Sequence, residues 1–159
     1  MLMVPVTVDE LARLASDGRL DGQLCGVAAD DALADEFGVE PGEEAEAAAL
    51  QLADVLGLTM GKALADSGVA HRRVLVVDVP ADHLTTGEGS VVGIQTPIQA
   101  ADAVSFFVGQ CDATTAEAAR GLDVDEAWEL PAVRAMLAEQ PLQWHDVSEL
   151  ALLDELVQP

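Results

Sequence analysis

The sequence predicts a single α/β or α+β domain, in which a mixed sheet of about six short strands packs against one long, alanine-rich helix. Short apolar runs typical of strands recur along the chain, and stretches of helical apolar periodicity lie between them. The chain has 159 residues, half of them apolar, which is enough to bury roughly 70% of the unfolded surface. No linker or repeat divides it, so we treat 1–159 as one domain.

The first elements are predicted from apolar runs and cap residues. "MLMVPV" predicts a strand over 1–6. Thr7 and Glu10 have the spacing of a capping box, and Gly18 is placed to end the helix that follows. The next two predicted elements are a short strand and a short helix, over 24–29 and 30–37.

The longest predicted element is a helix within 41–68, closed by Ser67-Gly68. Its apolar residues recur at three- and four-residue steps, as on one helical face: Ala45, Ala49, Leu52, Leu56, Met60 and Ala63. After it, "RRVLVVDVP" (72–80) contains an uninterrupted apolar run, which predicts a central strand covered on both faces.

The second half predicts further strands over 90–97 and 103–109, followed by three helices. Thr114 and Glu117 have capping-box spacing, and the "DVDE" stretch can act similarly. Pro131 occupies a first-turn position, where its missing N–H costs nothing.

The segment "LQWHDVSEL" (142–150) predicts a strand, a cap at Ser148 and a last helix. Alternation places Trp144 and His145 on opposite faces. Because Trp144 shares its face with Leu142, we expect the tryptophan on the core side and the histidine on the solvent side. Asp146 and His145 then point apart, so a catalytic triad is not expected here.

The strongest compositional signal is charge. Twenty-nine acidic residues against seven basic ones give a formal net charge of −22. Such a surface repels phosphates and anionic lipids, so we expect no nucleic-acid and no membrane partner. It is consistent with a plain solubility surface, a docking face for a basic partner, or mimicry of a nucleic acid.

The two cysteines and the apolar runs predict where in the cell the protein is found. Cys25 and Cys111 match no metal or redox spacing, so we expect two free thiols in a reducing cytoplasm. No signal-peptide pattern and no membrane-spanning run is present.

One candidate ligand site follows the central strand. Asp78, Asp82 and His83 lie on or beside the loop 78–88. In open α/β sheets, ligands bind at the carboxyl ends of parallel strands, so these residues are the candidates for a small-molecule site. An ordinary surface loop is the competing interpretation.

Charged clusters supply the other candidates. Four acids lie at or just before the start of the long helix: Glu40, Glu43, Glu44 and Glu46. They predict either a solvated helix face or a docking surface for a basic partner. "DVDEAWE" (123–129) begins like a calcium loop but lacks the required glycine and distal glutamate. The basic triplet His71-Arg72-Arg73 could bind an anion, although pairing with the surplus acids is the simpler expectation.

The order of these motifs resembles a group of uncharacterised actinobacterial proteins, a domain of unknown function. The likeness rests on the capped first helix, the acidic start of "GEEAEAAALQLADVLGLTMGKAL", the strand "RRVLVVDVP" and the closing "WHDVSEL". The chain departs from that pattern at Ala47 and His145, where a tyrosine is common. The resemblance implies a bacterial, cytoplasmic protein and assigns no functional residues.

The leading functional hypothesis is a non-enzymatic interaction domain without a cofactor, since no nucleophile–base pair, metal set or phosphate loop is found. An alternative is a small-molecule-binding or enzymatic domain using the loop 78–88, and the third is an acidic nucleic-acid mimic. A homo-oligomer is compatible with all three.

Overall fold

The fold is built on an antiparallel sheet with helices on both faces. The computed structural model describes residues 1–87, 89–95 and 97–152. The strands are β1 (Leu2–Pro5), β2 (Arg19–Leu20), β3 (Leu24–Ala28), β4 (Leu64–Asp66), β5 (Val69–Val77), β6 (Leu84–Thr86), β7 (Val91–Ile94), β8 (Ile98–Gln99), β9 (Ala103–Asp112) and β10 (Gln143–Asp146). The helices are α1 (Val8–Asp17), α2 (Asp31–Phe37), α3 (Glu43–Thr59), α4 (Ala113–Ala119), α5 (Val124–Trp128) and α6 (Pro131–Glu139).

The main sheet has the strand order β10-β9-β5-β1-β3-β7-β6, with β4 paired to β5 outside this path. The predicted class, α/β or α+β, is confirmed as a mixed α+β fold; the main sheet has eight strands where about six were expected. Every pairing among the described strands is antiparallel. Strands β2 and β8 form a separate two-stranded sheet.

The side chains of β5 alternate between the two faces of the sheet, and each face packs against its own core cluster. Leu75 and Val77 lie in a core cluster with residues of α1, on what we call the α1 face. Val74 and Val76 lie in a second cluster with residues of α3, on the α3 face. Strand β5 is therefore covered on both faces, as the apolar run predicted.

The first helix begins as the sequence predicted. The Thr7 side chain accepts a hydrogen bond from the Glu10 N–H at 3.1 Å, and Glu10 accepts one from the Thr7 N–H at 3.2 Å. Gly18 ends α1 at φ 75°, a left-handed conformation that glycine adopts readily. At α4 the expected capping box is wrong, because the helix begins after Asp112 and shows no side-chain cap hydrogen bond.

The long helix ends earlier than predicted. Helix α3 stops at Thr59, not at Gly68, and the residues after it form β4 and the start of β5. Ser67 and Gly68 both have positive φ, 54° and 85°, as the two-residue turn of a tight hairpin requires. The dipeptide expected to end the helix is therefore the turn of the β4–β5 hairpin.

The expected orientation of the last strand is wrong. Trp144 is 59% exposed, whereas the His145 ring stacks on the fully buried Phe106 with centroids 5.3 Å apart. Strand β10 pairs with β9 so that His145 lies opposite Phe106 and Trp144 opposite Phe107. Because β10 is the edge strand, the helical layer on the α3 face does not cover Trp144.

The cap expected after β10 is also wrong. The Asp146 side chain accepts a hydrogen bond from the Ser148 N–H at 2.9 Å, and Glu149 accepts one from the Asp146 N–H at 2.8 Å. The hydrogen bond from Ser148 lowers the pKa of the Asp146 carboxyl. Asp146, not Ser148, therefore caps the 3₁₀ turn over Val147–Leu152. The rest of the expected helix lies outside the described residues.

Both cysteines are free thiols, as expected. Burial raises the pKa of the Cys25 and Cys111 thiols. Since the thiolate is the reactive form, neither sulfur is activated as a nucleophile.

Gly26 in β3 provides a test of the sheet. A Cβ built at Gly26 would lie 2.6 Å from the Met3 carbonyl oxygen of β1, a backbone atom that cannot rotate away. We expect Gly26→Ala to lower the free energy of unfolding by ~1–3 kcal/mol through overpacking, measured by urea denaturation.

Gly57→Ala is the matched control, because a Cβ there would lie 3.0 Å from a Pro5 side-chain atom. Ala is favoured over Gly within a helix by about 1 kcal/mol, which offsets the tighter contact. Equal losses in the two variants would contradict the packing described at β1 and β3.

Candidate functional site

A groove on the α3 face lies between α2, the second half of α3, the segment before β7 and the start of α5. It has a volume of about 510 Å³. Leu52 and Leu56 of α3 are buried and contribute its apolar floor. The four acids that line it are all exposed: Glu36, Asp123, Asp125 and Glu126. We call this feature the acidic groove; none of the residues that line it is basic.

The acidic groove continues into a smaller cavity of about 200 Å³ that Phe37 and Trp128 line. Glu36, Leu52 and Asp125 line both cavities. The two rings meet edge to face with centroids 6.1 Å apart. An aromatic face beside carboxylates suits a guanidinium or ammonium group, because the ring quadrupole adds to the attraction of the charges.

Local hydrogen bonds and helix ends place these acids. The Asp30 side chain accepts a hydrogen bond from the Leu33 N–H at 2.9 Å and so caps α2. At the other end of α2, Ser90 Oγ donates to Glu36 Oε2 at 2.5 Å, which joins the segment before β7 to this helix. Asp125 and Glu126 lie in the first turn of α5, where the helix dipole favours negative charge.

The predicted ligand residues lie elsewhere, beyond the end of β5. Asp78 and Asp82 are exposed and His83 is half-buried. The Asp78 N–H donates to the Asp102 carbonyl at 2.9 Å, and the His83 carbonyl accepts from the Gln95 N–H at 2.9 Å. Strand β5 is antiparallel to both β1 and β9. The parallel-strand reason for a ligand site therefore does not apply, and the three residues stay a prediction.

The predicted docking acids lie at the start of α3. Glu40, Glu43 and Glu44 are exposed and Glu46 is half-buried. The Glu44 carboxylate accepts a hydrogen bond from the Glu40 N–H at 3.0 Å. None of the four lines the acidic groove, so they remain a separate prediction.

Sequence reasoning missed the acids that do meet. Glu36 is one of the many acids between residues 30 and 46, and Asp123, Asp125 and Glu126 belong to the rejected calcium-loop match. The two groups become neighbours only because α5 and α2 both pack beside α3. No spacing rule connects them in the sequence.

The basic triplet is divided between the faces of the sheet. Arg72 is 2% exposed and Asp54 of α3 is 5% exposed; Arg72 Nη1 lies 2.5 Å from Asp54 Oδ2. Arg72 also donates to the carbonyls of Gln110 and Gln140. The expected pairing with an acid is confirmed for Arg72, which joins α3, β9 and the segment after α6.

Burial raises the pKa of Asp54 to about 6, against the opposite effect of Arg72. Asp54 Oδ1 and Arg72 Nε have no hydrogen-bond partner among the described residues. The pair therefore holds two opposite charges in the core with incomplete hydrogen bonding.

The described residues contain neither a metal-binding cluster nor a membrane-spanning helix. Over 1–87, 89–95 and 97–152, no group of three or more His, Cys, Asp or Glu side chains has an arrangement that could hold a metal ion. None of the helices in these ranges has the length and apolarity needed to cross a membrane.

The fold and the groove define an acidic α+β protein with an antiparallel sheet between helical layers. The chain belongs to a family of unknown function (DUF6912), whose model matches residues 2–153. No curated protein and no solved structure matches the chain significantly.

Proposed function

We propose that the protein is a non-enzymatic interaction domain whose acidic groove docks a basic, partly apolar segment of a partner protein. The observation that carries this proposal is the groove itself, in which four exposed carboxylates surround a floor containing Leu52 and Leu56. The two free cysteines favour a reducing compartment, so we place the interaction in the cytoplasm.

The chemistry of lysine and arginine fits such a groove. Their aliphatic stems cover apolar surface while the charged ends reach carboxylates. A guanidinium can also stack over Trp128, which is half-exposed. Complementary charge speeds encounter and selects the partner more than it sets the affinity, and the apolar floor supplies an attraction that salt does not screen.

The test is a titration of a short amphipathic lysine–leucine peptide by isothermal calorimetry. The groove variant, Asp123→Asn/Asp125→Asn/Glu126→Gln, removes three carboxylates and keeps similar side-chain shapes. We expect it to weaken binding by about tenfold or more, equivalent to ~1.4 kcal/mol. Higher salt should weaken binding to the parent, because exposed charges are screened.

The matched control is Glu43→Gln/Glu44→Gln/Glu46→Gln, which changes the net charge by the same amount at the start of α3. We expect the control to retain most of the affinity. If both triple variants weaken binding equally, the peptide responds to the total charge alone and the groove is not the docking site.

A further inference from the structure

Arg73 is a buried arginine on the α1 face, next along β5 to the paired Arg72. It is 5% exposed. Its Nη1 donates to the carbonyls of Arg72 at 2.9 Å and Gly109 at 3.4 Å. The Nε of Arg73 is buried and has no hydrogen-bond partner among the described residues.

Arg73 also lacks a carboxylate partner within the described part of the chain. The ion pairs found there involve Arg19, Lys62, Arg72, Arg134 and His145. Burial lowers the pKa of Arg73 to about 10, so the side chain stays protonated at neutral pH. Burying a charge without a counter-charge is costly, and no described acid supplies one to Arg73.

Arg73 lines an open cleft of about 480 Å³ between the ends of β9 and β10 and the segment that follows α6. Val108 pairs with Arg73 on one side and with Gln143 on the other. Because directly paired residues share a face of the sheet, these side chains lie on the α1 face, as does Gln110 two positions along β9. The cleft thus combines one buried cation with three glutamines, Gln110, Gln140 and Gln143, among its lining residues.

We propose that this cleft binds a small organic monocarboxylate, whose oxygens accept hydrogen bonds from Arg73. The planar guanidinium matches a carboxylate, and such charge-assisted hydrogen bonds are among the strongest in proteins. Glu139 also lines the cleft, and the net charge is −22. Both features disfavour a multiply charged anion such as phosphate. The cleft shares no lining residue with the acidic groove, so each proposal stands or fails independently.

The test follows the Arg73 Nε–H resonance by ¹⁵N NMR while acetate, propionate, glycine and inorganic phosphate are titrated separately. At least one carboxylate should produce a saturable shift, and it should bind more tightly than phosphate. Arg73→Met should weaken this binding by about 10- to 100-fold, as expected for loss of a charge-assisted pair; for this variant, binding is measured by calorimetry. Arg13→Met, which removes an exposed arginine, should leave it unchanged.

A second variant keeps the test decisive if Arg73→Met alters folding. Gln110→Glu introduces a carboxylate diagonal to Arg73 across β5 and β9, within reach of long side chains. We expect it to raise the melting temperature and to abolish binding of the added carboxylate. Four outcomes would overturn the assignment. Two concern the parent: none of the three carboxylates saturates the shift, or phosphate binds more tightly than they do. Two concern the variants: Gln110→Glu binds the carboxylate with the parent's affinity, or Arg13→Met loses as much affinity as Arg73→Met.

Discussion

Arg72→Met is expected to lower the free energy of unfolding by ~3–5 kcal/mol, the usual cost of removing one partner of a buried ion pair. The reason is that Asp54, 5% exposed, would lose its counter-charge in the core and would have to stay charged there unpaired or take up a proton, and either costs free energy of folding at neutral pH. Two backbone carbonyls, those of Gln110 and Gln140, would lose a donor as well. Urea denaturation of the variant and the parent measures the loss.

The control for Arg72→Met is the double replacement Arg72→Met/Asp54→Leu. An apolar pair of similar volume often matches or exceeds the stability of a buried ion pair. The double variant should therefore recover most of the loss. If the single variant costs less than about 1 kcal/mol, the pair is not as buried as the structure shows.

The same pair has a pH signature. Because the pKa of Asp54 is raised to about 6 in the folded protein, above about 3.9 for an unfolded aspartate, this group makes folding less favourable as pH rises between those two values. Below that window Asp54 is protonated in both states, so the cost of Arg72→Met should shrink there. Asp54→Asn should remove this contribution from the pH dependence of stability.

Phe106→Ala is the second change with a large expected effect. Phe106 is fully buried and lies in the core of the α1 face, where His145 stacks on its ring. Deleting a buried phenylalanine ring typically costs ~3–5 kcal/mol. Thermal or urea unfolding of the variant measures this loss.

Trp144→Ala is the matched control for Phe106→Ala, since it deletes a larger ring from the same pair of strands. Trp144 is 59% exposed, so the replacement should change stability by no more than about 0.5 kcal/mol. A larger loss for Trp144→Ala than for Phe106→Ala would mean that β10 presents the opposite face to the core.

Those features of the fold that depend on short stretches of sequence could be predicted. The apolar run in β5 indicated a strand covered on both faces, and the Thr7–Glu10 spacing predicted the cap of α1. Both signals come from residues within a few positions of one another. The α+β class followed from the order of such local signals.

Features that depend on distant neighbours could not be predicted. Leu142 and Trp144 share a face, and Leu142 packs against the core of the α3 face, but that packing does not reach Trp144, which is 59% exposed. Ser67-Gly68 suits a helix end and a hairpin turn equally well, and only the pairing of β4 with β5 decides between them. The acidic groove joins Glu36 to the start of α5 through packing on α3, which no local pattern encodes.

The position of β1 has a consequence for how the chain reaches its folded state. Strand β1 lies between β5 and β3, and Met3 pairs with Val76 on one side and Val27 on the other. The β4–β5 and β6–β7 pairings join neighbours in sequence and close short loops, whereas the β1–β5 pairing closes a long one. Non-local pairing slows folding and leaves apolar strands exposed meanwhile. Strand β1 is thus the segment that most needs protection from aggregation until β5 pairs with it.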